Sequence, residues 1–106
     1  MPLDGPSRIE RNEQILAKMP DNHLARFGLA NALFDEGRLA DAEREYRLCL
    51  EKQPEWMAVA ISLGRCLVLR GALDEARVVL AAAREMALRQ GHSSPLAEIA
   101  DLESRC

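Results

Sequence analysis

An all-helical ladder of stacked helix pairs is the fold class this sequence predicts, and three observations predict it. The first is a fixed period. Leu29, Gly37, Leu39 and Ala42 recur as Leu63, Gly71, Leu73 and Ala76, 34 residues apart each time. Leu16, Pro20 and Leu33 return as Leu50, Pro54 and Leu67 in the same register. Self-similarity of that length marks a solenoid, whose units bury their apolar faces against one another. Second, Ala and Leu supply 16 residues each and only four residues are aromatic, which favours helix. Third, Pro20, Gly37, Pro54 and Gly71 punctuate the apolar-periodic segments at the places where a helix must stop.

Each element follows from local chemistry. Ser7-Arg8-Ile9-Glu10 fits a capping box, so a first helix starts there, runs to about Lys18 and ends before Pro20. Asp21 or Asn22 caps a second helix over about 22 to 36, which stops at Gly37. At Gly37 and Gly71 a positive φ closes the helix without the clash that a Cβ would bring. A third helix spans about Leu39 to Lys52, with Leu39, Ala42, Tyr46 and Cys49 on one face. Glu43 with Arg47, and Arg47 with Glu51, stand one turn apart on its wet side. The plan then repeats as about Glu55 to Arg70, the Gly71 turn, and about Leu73 to Gln90. After the Gly91-His92-Ser93-Ser94 link, Ser94 is the expected cap and Pro95 the first residue of a sixth helix. Its apolar residues are Leu96, Ile99, Ala100 and Leu102, while Glu98, Asp101 and Glu103 face water.

These residues resemble the tetratricopeptide repeat, whose pattern runs Trp, two residues, Leu-Gly, two residues, Tyr, then Ala, an aromatic and Pro. Leu63-Gly64 and Ala76 match in the second unit; Leu29-Ala30, Ala42, Tyr46 and Pro54 match or nearly match in the first. Arg26 and Ala60 replace the Trp, Leu33 and Leu67 the Tyr, Leu80 the aromatic and Leu88 the second Pro. The resemblance implies an all-α, right-handed helical-hairpin solenoid of about six antiparallel helices. A single domain over 1–106 is expected. It comprises a half-repeat helix at 7–19, repeats at 21–54 and 55–90, and a C-terminal capping helix at 94–105.

Bulk properties narrow the function. A net charge of −3 leaves no basic surplus to neutralise phosphates, so nucleic acid is not an expected partner. No apolar run approaches the ~20 residues of a membrane span. The opening Met1-Pro2-Leu3-Asp4-Gly5-Pro6 lacks the charged start and apolar stretch of a signal peptide. A cytoplasmic protein is expected, and twelve Arg against two Lys suggest a GC-rich bacterial genome. Cys49, Cys66 and Cys106 show no metal-type spacing, and the first two fall on faces that should be buried. His23 and His92 stand alone, at a helix entrance and in a link. No glycine-rich phosphate loop occurs, and the Asp35-Glu36 and Asp74-Glu75 pairs flank turns as solvated charges. Neither an enzyme nor a cofactor is expected.

The first helices of both units carry more apolar residues than one buried face requires. On α-helical spacing Leu24, Phe27, Asn31 and Phe34 form a stripe apart from the Ala25, Leu29, Ala32, Leu33 face. Ala58, Ile61, Arg65, Val68 and, at its edge, Leu69 repeat it in the second unit. In proteins this sequence resembles, such positions line a concave groove that meets ligands. Leu24, Phe27, Asn31, Phe34, Ile61, Arg65 and Val68 are therefore the candidate partner-binding residues, for a peptide or helix of another protein. Asn31 would bond a peptide backbone and Arg65 a carboxylate. The competing reading is internal packing, since a helix apolar all round is commonly just buried. A third is self-association into a homo-oligomer through the stripe or a solenoid end. Trp56 is either a partner anchor or a staple packing near Ala60.

Overall fold

The computed structural model describes residues 6–106, so the first five residues of the expected domain lie outside the described residues. Six helices follow one another: α1 (Arg8–Lys18), α2 (His23–Asp35), α3 (Leu39–Lys52), α4 (Met57–Arg70), α5 (Leu73–Arg89) and α6 (Ser94–Ser104). No strand occurs among the described residues. Each helix packs against the next, and α6 also reaches back to α4. The result is an elongated ladder of 42 × 25 × 22 Å.

The starts and stops are mostly those the local chemistry asks for. Glu10 N–H donates to Ser7 Oγ at 3.1 Å and Ser7 N–H to Glu10 Oε1 at 3.0 Å, a complete capping box. Asn22, not Asp21, caps α2 by accepting from Ala25 N–H at 3.0 Å. Gly37 and Gly71 have φ of 80° and 81°. At each, two backbone bonds return to the preceding helix: Arg38 to Leu33 and Gly37 to Phe34, then Ala72 to Leu67 and Gly71 to Val68. Gly91 makes the same turn at φ 72°, through His92 to Ala87 and Gly91 to Leu88. The capping role expected of Ser94 is not taken up. Ser94 is itself the first residue of α6, Pro95 follows, and the Ser93 side chain makes no capping bond.

The core runs along the ladder between the helices. Leu29, Leu33, Tyr46, Leu63, Leu67, Leu80 and Ile99 are all buried, and the equivalent Ala42 and Ala76 are fully so. Close approach sets two positions. A Cβ at Gly64 would overlap the Leu80 side chain, so α4 and α5 meet there over bare backbone. A Cβ at Gly28 would come within 2.8 Å of Asn12 Oδ1 where α1 crosses α2.

Charges tie the units across their surface. Arg47 Nε donates to Glu43 Oε2 at 2.9 Å and its Nη2 to Glu75 Oε2 at 2.8 Å, while Arg70 reaches the other Glu43 oxygen. Four side chains from α3, α4 and α5 thus form one net. Arg47 takes Glu75 as its second partner, where Glu51 was expected.

Candidate functional site

The stripe on α2 begins at Leu24, which is 67 % exposed, and continues through Phe27, Asn31 and Phe34, each partly covered. Helical spacing of three and four residues places them along one side. Phe27 is hemmed by aromatics: its ring lies 5.0 Å from that of Trp56 and 6.1 Å from that of Tyr46, tilted at 59° to both. The His23 ring meets Trp56 edge-on at 5.5 Å. Trp56 therefore packs back onto α2 of the preceding unit. Such tilted and edge-on pairs suit the ring quadrupoles.

Asn31 is held from beneath. The Tyr46 hydroxyl donates to Asn31 Oδ1 at 2.6 Å, which fixes the amide and leaves its NH₂ group to donate elsewhere. Burial pushes the Tyr46 hydroxyl up to about 12, so it stays protonated and keeps donating at neutral pH. A buried phenol requires such a partner, and Asn31 supplies it from α2.

On α4 the stripe differs. Val68 is partly covered, but Ile61 is buried at 6 % exposure and belongs to the core. α4 is packed by α3, α5 and α6, which leaves little of its surface open. Ile61 is thus set apart from the six other stripe residues, none of which is buried. Arg65 is already engaged, its guanidinium donating to Glu98 of α6. Its Nη2 is taken by that bond, which leaves its other N–H groups for a ligand carboxylate.

Other candidate chemistry is subdued. Burial raises the Cys49 thiol to about 11 and the Cys66 thiol in the same direction, away from the reactive thiolate. The Cys66 thiol donates to the Leu39 carbonyl at 3.2 Å. Among the described residues no group of three or more His, Cys, Asp or Glu gathers to hold a metal ion. No helix among them is long and apolar enough to cross a membrane.

Helix pairs on a 34-residue period, closed by matching left-handed glycines, define a helical-repeat protein. Residues 9–60 and 33–91 each match the tetratricopeptide repeat, and the chain belongs to that family. It is 38 % identical over 69 residues to the TPR repeat-containing protein PA0015 of Pseudomonas aeruginosa. That match covers 65 % of this chain and 66 % of the relative, just under two thirds of its length. Among solved structures, protein BPP2914 of Bordetella parapertussis superposes with a TM-score of 0.84 at 25 % identity, covering 95 % of this chain and 88 % of that one. The yeast Sti1 TPR2B domain, solved as a pHsp70 complex, gives 0.85 at 18 % identity, covering 92 % and 78 %. The fold is an all-α helical-hairpin solenoid, an architecture that serves generally as a protein–protein interaction module.

Proposed function

We propose that this chain binds a short segment of a partner protein along the concave side of the ladder, on a stripe centred on α2. The observation that carries the reading is the state of α2. Leu24, Phe27 and Phe34 remain accessible beside an Asn31 amide whose orientation is already fixed. A ligand gains apolar anchors and a backbone hydrogen bond without ordering that part of the site. Arg65 and Val68 extend the stripe onto α4, and Trp56 walls it at Phe27. Each buried anchor is worth roughly 1.5–3 kcal/mol. Micromolar affinity corresponds to about 8 kcal/mol. Two anchors alone do not reach it once the costs of association are met, so the backbone hydrogen bonds and the α4 contacts must add to them. The role is binding rather than catalysis. Three unpaired thiols suit the reducing cytoplasm. Residues 94–105 act as the terminal cap, with Ile99 and Leu102 turned inward and Glu98 and Asp101 in water.

Affinity capture from the native cell extract tests the reading. Leu24→Ser and Phe34→Ser should abolish recovery of the partner while the melting temperature stays within a few degrees. Leu63→Ser, in the core, should damage the fold first. Partner recovery undiminished by both stripe variants would sink the proposal.

A further inference from the structure

Eleven of the twelve arginines are paired with a carboxylate among the described residues; Arg11, Lys18 and Lys52 are the cations that are not. Arg11 and Lys18 lie on one side of α1 with Ile15 and Met19, lining an open cleft of about 330 Å³. Ile15 and Met19 are 37 % and 53 % exposed. Met19 also borders a neighbouring cleft that runs on to Leu24. Exposed apolar surface and unpaired positive charge therefore coincide at this corner.

The repeat register says what this side of α1 is shaped to meet. Gln14, Ile15 and Lys18 are the 34-residue counterparts of Leu48, Cys49 and Lys52 on α3. There the start of α2 lies alongside: His23 and Arg26 share a cleft with those three residues, and Cys49 is buried. Arg26 Nη1 donates to Glu45 Oε1 at 2.8 Å across that pair. The counterpart of Glu45 on α1 is Arg11, so the same contact carries the opposite charge.

We propose that α1 docks an acidic amphipathic helix of a partner protein, laid on it as α2 lies on α3. Apolar side chains of that helix meet Ile15 and Met19, and a carboxylate meets Arg11 where α2 would bring Arg26. A copy of this chain's own α2 would set Arg26 against Arg11, and α4 offers only Ala60 at that position. The docked segment covers the C-terminal half of α1. Towards the N-terminus Arg8 is held by Asp35 at 2.8 Å, and the Asn12 amide donates to the Arg8 carbonyl at 2.8 Å. This face adjoins the α2 stripe only at Leu24, and its test leaves the stripe residues of the protein untouched.

The probe is a labelled synthetic peptide copying residues 21–36 with Arg26→Glu, compared with the unaltered peptide by fluorescence anisotropy against the full chain. The Glu peptide should bind and the Arg peptide should bind about fivefold more weakly, the span of reversing one exposed ion pair. Arg11→Glu in the protein should invert that order, and raised salt should shrink the difference. Met19→Asp should weaken both peptides while the melting curve is unchanged, since Met19 is exposed. Equal affinity for the two peptides in wild type and Arg11→Glu alike overturns the proposal, as does the absence of binding at millimolar peptide. A chain that sediments as a dimer dissociated by Met19→Asp also overturns it, because the face then belongs to a second copy.

Discussion

The two repeats share a backbone plan and diverge in what they do with it. The first unit places Ala30 and Tyr46 where the second places Gly64 and Leu80. In the first, the large buried residue carries a hydroxyl that reaches outward to Asn31 and organises the surface. In the second it is purely apolar, and the helix backbone comes down upon it. The stripe follows suit. Phe27, Asn31 and Phe34 stay partly open on α2, whereas α4 buries Ile61 and gives Arg65 to Glu98. Equal spacing in sequence thus supports unequal surroundings: no stripe residue on α2 is buried, whereas α4 gives Ile61 to the core.

The sharpest way to break this contrast is at the α4–α5 contact. Gly64→Ala should destabilise by about 1–3 kcal/mol through overpacking against Leu80. Ala30→Gly, its mirror in the first unit, should cost only about 0.5–1 kcal/mol as a helix-propensity effect. A double-mutant cycle of Gly64→Ala with Leu80→Ala, followed by urea unfolding, should show strong coupling. Additive effects would mean that Leu80 is not what Gly64 makes room for.

Next in size, Gly71→Val and Gly37→Val should each lose about 1–2 kcal/mol, because both glycines hold φ near 80°. Here the two units are expected to respond alike. A melting temperature that falls for one and not the other would show that the turns are not equivalent.

The smallest effect at neutral pH, namely none, appears only in alkali, where burial raises a thiol in each unit, Cys49 and Cys66, and the phenol of Tyr46 belongs to the first alone. Tyr46, the chain's sole tyrosine, has its folded value raised from 10.0 to about 12, and Cys49 from 9.0 to about 11. For a group raised on folding, the neutral form is the stabilised one. Its contribution is complete below the unfolded value and disappears as pH climbs to the folded one. Stability should hold to about pH 9 and decline between 9 and 12. The phenolate absorbance of folded protein should rise well above pH 10. Tyrosine titrating at 10 in the folded state would contradict the burial that fixes Asn31.

Most of the ladder was legible in the sequence because its determinants are local and repeated. The capping box at Ser7, the stops at Gly37 and Gly71 and the 34-residue identities each act within a few residues of where they are read. Side-chain partnerships were legible only where both members share a helix. Glu43 with Arg47 was foreseen; the reach of Arg47 to Glu75 and of Arg65 to Glu98 spans 28 and 33 residues and depends on how helices stack. The burial of Ile61 failed to show for the same reason: its apolar stripe reads like that of Phe27, and only the neighbours of α4 separate the two. Gly91 read as part of a link, since its turn lies 20 residues after Gly71 and outside the 34-residue register.

The bare approach of Gly64 onto Leu80 has a consequence for modular engineering. Exchanging single helices between units would set a methyl from α2 against a leucine fitted to a glycine, so a chimaera with its crossover inside a hairpin inherits a steric mismatch. A crossover near Pro54 transfers Ala30 with Tyr46 or Gly64 with Leu80 intact. In this protein the hairpin, not the helix, is the smallest cassette that can be moved.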